Sequence, residues 1–249
     1  MTPEISELKK IIEASDNIVF FGGAGVSTES GIPDFRSQDG LYHMKYKYPP
    51  EQIISHTFYK ERPEEFFEFY KDKMLAPNAQ PNKAHIALAR LEEAGKLKAV
   101  VTQNIDGLHQ KAGSKKVLEL HGSVLRNYCE RCGKFFDMDY ILQADGVPVC
   151  DADDGTGSRC NGRVKPDVVL YEEGLDNNVI TEAVSYISRA DVLIIGGTSL
   201  VVYPAAGLID YYHGNKLVVI NKAPTSRDRS ADLLISGAIG EVFGEVMDL

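Results

Sequence analysis

Six short runs are apolar on both faces: residues 18–21 (IVFF), 99–102 (AVVT), 117–120 (VLEL), 168–170 (VVL), 192–195 (VLII) and 217–220 (LVVI). Strands buried on two sides suit a parallel sheet covered by helices. Helical periodicity lies between them. Asn82 is placed to cap a helix on which Ala84, Ala87, Leu88 and Leu91 share one face, with Lys83, Arg90, Glu92 and Glu93 mostly elsewhere and Gly95 as its stop. Ile239, Val242, Phe243 and Val246 repeat the spacing near the C-terminus. This alternation predicts an α/β fold with a doubly wound parallel sheet, whose ligands gather at the carboxyl ends of the strands.

Two stretches interrupt the pattern. Residues 34–80 are rich in Tyr, Phe, His and Pro without strand signals, and residues 124–164 hold all four cysteines. Both read as insertions that build a smaller second lobe, leaving 1–33, 81–123 and 165–249 to the large one within a single domain of 249 residues. The net charge of −9 argues against a nucleic-acid-binding surface and is compatible with a basic protein substrate. No N-terminal stretch has the form of a signal peptide and no apolar run reaches the length of a membrane helix, so a cytoplasmic protein is expected.

The first strand runs into residues 22–36, GGAGVSTESGIPDFR. A glycine-rich turn between strand and helix lets backbone N–H groups approach phosphate oxygens, and Gly23 and Gly25 fit that role, although tight turns also need glycine for steric reasons alone. Thr28 stands where the dehydrogenase fingerprint has its third glycine, and Lys45 and Lys47 lie where an acidic ribose ligand is expected, which disfavours a hydride-transfer site.

Cys129 and Cys132 form a C-x-x-C knuckle, with Cys150 and Cys160 following in the same window. Thiolates at knuckle spacing converge on one cation, and four sulfurs with no open position predict a closed, structural zinc site; a disulfide framework is the alternative for an oxidising compartment. The loop carrying Asp151, Asp153, Asp154, Gly155 and Gly157 is read as a solvated acidic insertion that still lets Cys160 reach the metal.

Polar chemistry collects after the strands. Gln103, Asn104, Ile105 and Asp106 follow the second, and His121 with Gly122 follows the third. His121 is the histidine placed as a general base near neutral pH, whereas His109 falls in a short helical pattern and is expected to pack or cap. Gly196, Gly197, Thr198 and Ser199, then Asn221, then Ala238 and Ile239, trace a path of dinucleotide length at the ends of the later strands.

Taken together, GAGVSTESGIPDFR, TQNID, HG, the four-cysteine module, KPDVVLYEE, GTSLVVYPAA and VIN resemble the sirtuin family of NAD-dependent protein-lysine deacylases, in the family's order and over nearly the whole chain. The resemblance implies a Rossmann-like large lobe with a smaller zinc-binding and helical lobe, and a substrate peptide in the cleft between them. It implies NAD contacts from Gly23, Ala24, Gly25, Thr28, Phe35, Arg36, Gln103, Asn104, Ile105, Asp106, His121, Gly197, Thr198, Ser199, Asn221, Lys222, Ala238 and Ile239. Asp106 and Ile105 would hold the nicotinamide amide, and Phe35 would cover the ribose face once nicotinamide leaves. His121 would be the general base, with Asn104 beside it in catalysis. Val168, Val169, Leu170 and Tyr171 would bind acyl-lysine, the backbone beyond pairing with an extended peptide, and Cys129, Cys132, Cys150 and Cys160 would hold Zn²⁺.

The activity implied is transfer of the acetyl group of acetyl-lysine to ADP-ribose, with nicotinamide and 2′-O-acetyl-ADP-ribose released, by a monomer acting on an acetylated protein. Family members that prefer succinyl or malonyl groups carry a Tyr-x-x-Arg pair in the small-lobe helix; Phe67 and Tyr70 are read as the corresponding positions, which supply no cation and so predict a neutral acyl group. Mono-ADP-ribosyl transfer and a non-catalytic NAD or ADP-ribose sensor are the alternatives.

Overall fold

The computed structural model describes residues 2–37, 40–43, 46–153 and 158–249. Lys45 and the loop residues Asp154, Gly155 and Gly157, on which expectations fell above, lie outside the described residues.

In chain order the strands are β1 (Ile18–Gly22), β2 (Leu97–Thr102), β3 (Val117–Glu119), β4 (Gly122–Cys129), β5 (Phe135–Phe136), β6 (Val164–Val168), β7 (Val192–Gly196), β8 (Lys216–Ile220) and β9 (Leu233–Ile235). The helices are α1 (Pro3–Ala14), α2 (Pro50–Ile53), α3 (His56–Glu61), α4 (Pro63–Phe69), α5 (Lys83–Glu93), α6 (Leu108–Ala112), α7 (Met138–Gln143), α8 (Asn177–Arg189) and α9 (Ile239–Val246). Six strands form one parallel sheet in the order β3-β2-β1-β7-β8-β9, and three form an antiparallel sheet, β5-β4-β6.

Period-two alternation in β1 explains how the large sheet is covered. Ile18 and Phe20 pack into one cluster with Leu8 of α1, Leu88 of α5 and Phe243 of α9. Val19 and Phe21 face the other way, onto Ala183 and Ile187 of α8 and Leu208 and Ile209 of the 3-10 turn Ala205–Tyr211. The α5 helix starts where its cap predicts: the Asn82 side chain accepts from the Ala84 N–H at 2.9 Å, while His85 Nδ1 accepts from the Asn82 N–H at 3.2 Å. Its other end is closed by Gly95, at φ +73°.

Two strands differ from the sequence reading. The run 168–170 is not a strand of the parallel sheet: β6 ends at Val168 and pairs antiparallel with β4 in the small sheet. Val168 and Leu170 are buried because they join the core of the small lobe, while Val169 between them is half-buried. The sixth parallel strand is β9, three residues long and paired with β8 from Val218↔Leu233 to Ile220↔Ile235.

The helical insertion and the cysteine module share one core. Phe58, Tyr59, Phe66, Phe67 and Tyr70 pack with Val124, Phe136, Ile141, Val164, Val168 and Leu170. After Phe69 the helix α4 widens into a π-helical turn, Tyr70–Met74, which advances each residue less around the axis than an α-turn does.

Candidate active site

In the order of the large sheet, β1 lies between β2 and β7, so connections depart in opposite directions on its two sides and open a crevice at the carboxyl ends. The loops leaving β1 and β7 meet there. The Gly23 N–H donates to Gly196 O at 3.3 Å and the Gly25 N–H to Gly197 O at 2.8 Å. A Cβ on Gly25 would lie 2.8 Å from Gly197 Cα, and one on Gly197 (φ +59°) 2.4 Å from Val26 N. The two glycine amides expected to face phosphate are therefore committed to the neighbouring loop, and their glycine identity is set by that loop's approach, the backbone of Gly197 at Gly25 and the Thr198 side chain at Gly23. Among the described residues the Ala24 N–H has no such partner.

A cleft of about 770 Å³ opens above this junction. Its walls include every residue singled out for cofactor or substrate: Gly23, Ala24, Gly25, Thr28, Phe35, Arg36, Gln103, Asn104, Ile105, Asp106, His121, Gly197, Thr198, Ser199, Asn221, Lys222, Ala238 and Ile239, with Val168, Val169, Leu170 and Tyr171 on the side of the small lobe. Its size and length fit a dinucleotide.

Residues after β2 are locked by a short polar chain. Asn104 Nδ2 donates to Ser27 Oγ at 3.0 Å, and Ser27 Oγ donates to Asp106 Oδ2 at 2.6 Å. The other Asp106 oxygen accepts from the Leu108 N–H at 2.9 Å, and Gln103 Nε2 donates to Thr198 Oγ1 at 3.0 Å. Ser27 is only 1% exposed, and sequence reasoning passed over it in favour of Thr28. The available signal was a second small hydroxyl in the glycine turn; what it faces is fixed only by folding.

His121 sits between β3 and β4. Its Nδ1 is 2.9 Å from Gln103 O, and a carbonyl can only accept, so Nδ1 carries the hydrogen and Nε2 keeps its lone pair. Burial pushes the imidazole below its ordinary pKa of 6.5, partly opposed by that hydrogen bond. The next residue must be glycine: Gly122 has φ +76°, and a Cβ there would lie 1.9 Å from Asp167 O. The Val169 N–H donates to His121 O at 3.0 Å, so His121 and the segment after β6 are joined through backbone.

His109 is buried in α6, 4.7 Å ring to ring from His85, and packs rather than entering the cleft. The acyl-group reading needs correction. Phe67 is fully buried in the aromatic core and does not reach the cleft, whereas Tyr70, Lys73 and Met74 do. Lys73, three residues beyond Tyr70 and ion-paired with Asp72 at 2.9 Å, also lines the cleft, so a cation does stand on its wall. The Tyr70 hydroxyl is buried without a hydrogen-bond partner.

The four cysteine sulfurs all lie within 4.8 Å of one another, with Cys129 to Cys160 at 3.7 Å and Cys132 to Cys150 at 3.6 Å. Tetrahedral zinc at about 2.3 Å from each sulfur requires separations of about 3.8 Å, whereas a disulfide requires about 2.05 Å. The set therefore fits Zn²⁺. Backbone N–H groups of Arg131 and Cys132 point at Cys129 Sγ, and that of Ala152 at Cys150 Sγ, as support for thiolate charge. None of the four lines the cleft.

Fold and site together define a dinucleotide-binding α/β protein with a four-cysteine zinc site in its smaller lobe and, in its cleft, an imidazole whose Nε2 keeps its lone pair. The Sir2 family model matches residues 23–204, and the chain belongs to that family. It is 63% identical, over 100% of both chains, to an NAD-dependent protein deacetylase of Clostridium perfringens. Among solved structures, it is 42% identical to a Sir2 with p53 peptide and NAD⁺, at a TM-score of 0.85 covering 100% of this chain and 98% of that one. It is 40% identical to a Sir2 in complex with the inhibitor EX-527, 2′-O-acetyl-ADP-ribose and deacetylated p53 peptide, at a TM-score of 0.83 covering 98% and 97%.

Proposed function

We propose that this cleft performs NAD-dependent deacetylation of protein lysine, with the residues above in the following roles. The observation that carries the assignment is His121, whose Nδ1 is tied to Gln103 O so that Nε2 is the basic atom, in the same cleft as the Ser27–Asn104–Asp106 chain. NAD is consumed and is thus a substrate: acetyl-lysine, NAD⁺ and water give lysine, nicotinamide and 2′-O-acetyl-ADP-ribose.

Asp106 and Ile105 hold the nicotinamide amide. Asn104, fixed by Ser27, turns its amide dipole towards the ribose, where positive charge develops as the glycosidic bond breaks. Val168, Val169, Leu170 and Tyr171 present the acetyl oxygen to that carbon and keep water away. Phe35 closes over the sugar after nicotinamide departs. His121 then takes the proton that frees the ribose 2′-oxygen to attack the acyl carbon. The lysine amine leaves from that carbon with a proton, and water adds there as the bond to the C1′ oxygen breaks, leaving the acetyl group on the 2′-oxygen. Asn221, Lys222, Ala238 and Ile239 receive the adenosine end, and Thr198, Ser199 and the Ala24 N–H the phosphates. Zn²⁺, when bound by the four cysteines, stabilises the small lobe.

The site lies in one catalytic domain spanning residues 1–249, its small lobe formed from 34–80 and from 124 through Leu170, since β6 and Leu170 pack in the small sheet and its core rather than in the large lobe. We read the protein as a cytoplasmic monomer acting on an acetylated protein and not on nucleic acid. The net charge of −9 supports the last point, and no helix of the described residues is long and apolar enough to cross a membrane. The test is incubation of the zinc-loaded protein with NAD and an acetyl-lysine peptide. Nicotinamide and acetyl-ADP-ribose should appear only when both are present. ADP-ribose retained on the protein target would indicate ADP-ribosyl transfer instead, and silence would leave a sensor.

A further inference from the structure

Arg126 sits where β4 breaks register. Ser123 pairs with Asp167 and Asn127 with Pro166, so β4 bulges between them. From the bulge its Nε reaches Asp167 Oδ2 and its Nη1 reaches Glu119 Oε2, both at 2.8 Å. Glu119 is the last residue of β3, two before His121, and its side chain is only 9% exposed; its other oxygen accepts from Gln110 Nε2 of α6 at 2.8 Å. Asp167 precedes the Val168–Val169 segment, whose backbone bonds His121 O.

We propose that Arg126 is a positioning residue for the acyl-transfer step: its fork sets the spacing between His121 and the segment that presents acyl-lysine. The proposal rests on the deacetylase reading above. The large sheet supplies the strand entering His121, and the small sheet supplies the strand leading to Val169. Between them the backbone offers the Val169–His121 bond, the tight passage at Gly122 and the ladder pairs Gly122↔Val168 and Ser123↔Asp167, after which the ladder breaks at the bulge that carries Arg126. Two charge-assisted bonds from one planar guanidinium fix direction as well as distance, which a single-point cation does not. Arg126 touches neither substrate nor reacting atoms in this role. A shift of His121 by a fraction of an ångström lengthens the proton transfer it makes after nicotinamide has left, while the bond-breaking step before it, in which His121 takes no part, is affected far less.

The test uses the full-length, zinc-loaded protein at saturating acetylated peptide. Exchange of labelled nicotinamide into NAD reads bond cleavage alone; peptide deacetylation reads the whole sequence. Arg126→Met should lower deacetylation roughly tenfold or more, with exchange held within about threefold, so that the exchange-to-deacetylation ratio rises. Arg126→Lys should restore part of the loss. Equal falls in both activities, or no change in the ratio, would overturn the proposal. If the Met variant does not fold, Asp167→Asn, which keeps the Arg126–Glu119 pair, must raise the same ratio, and an unchanged ratio there is equally fatal. Absence of peptide-dependent exchange in the wild-type protein would instead sink the deacetylase reading itself.

Discussion

Ser27 Oγ lies 2.6 Å from Asp106 Oδ2, bridging the glycine turn after β1 to the polar segment after β2, and the same oxygen receives Asn104 Nδ2. A bond to a carboxylate is worth about 1.5–3 kcal/mol, and Ser27→Ala removes it while leaving an amide donor without its partner. The variant should lose roughly tenfold to a hundredfold in kcat/KM for NAD, because the groups placed at nicotinamide and ribose lose their common anchor. Steady-state kinetics at saturating peptide would measure this, and wild-type values would show that Ser27 only fills space.

The pH dependence of turnover should follow the depressed His121 pKa. A general base must be unprotonated, and burial lowers the imidazole below 6.5, so activity persists as the pH falls past 6.5 and drops only below it. The acid limb of kcat/KM against pH, which reports the free protein, should therefore have its midpoint under 6.5. His121→Ala should abolish turnover with NAD affinity within about tenfold of wild type, as measured by direct binding.

Stability should respond to acid through two other histidines. Burial pushes His85 down to about 4, and His109 falls well below 6.5 through burial and its neighbour His85. Their unfolded forms titrate near 6.5, so the unfolded chain binds more protons below that pH. The stabilising effect of keeping both rings neutral is complete above 6.5 and is lost as the pH falls towards 4. Thermal melting at pH 7, 6 and 5 should show a falling midpoint, and replacing His109 with Gln should flatten the trend.

One zinc per chain should be found by elemental analysis. Its removal with a chelator should expose the small-lobe core, because Cys129, Cys150 and Cys160 pack against Ile141 and Val164 within one cluster. Activity and the melting midpoint should fall together. Since no cysteine lines the cleft, Co²⁺ substitution should restore both without altering the pH profile.

Lys73 and Tyr70 on the cleft wall make acyl specificity testable. Lys73→Met should leave acetyl-lysine turnover within about threefold, since a neutral acyl group draws little on a cation, and should reduce turnover of a succinyl-lysine peptide relative to acetyl-lysine. An unchanged ratio of the two turnovers would place Lys73 outside the acyl pocket.

Much of this molecule is written in local sequence. The apolar runs at β1, β2, β7 and β8, the Asn82 cap and the cysteine spacing each rest on interactions within a few residues or on burial of a whole segment, and the motif order places the site's residues along the chain. Tertiary structure decided the rest, because it depends on what distant segments meet. The run 168–170 is apolar for a reason no periodicity distinguishes, the core of the small lobe rather than of the parallel sheet. Gly23 and Gly25 are glycine because the β7 loop approaches their backbone. The first turn of α9 has no side-chain cap from Ala238 and takes one from Glu29 instead, at 2.6 Å from the Gly240 N–H. It is Tyr70 and Lys73, and not Phe67, that reach the cleft, because Phe67 turns into the aromatic core of the small lobe. Chemistry was legible where residue type alone carries it; position was not, since a contact across more than two hundred residues leaves no local trace.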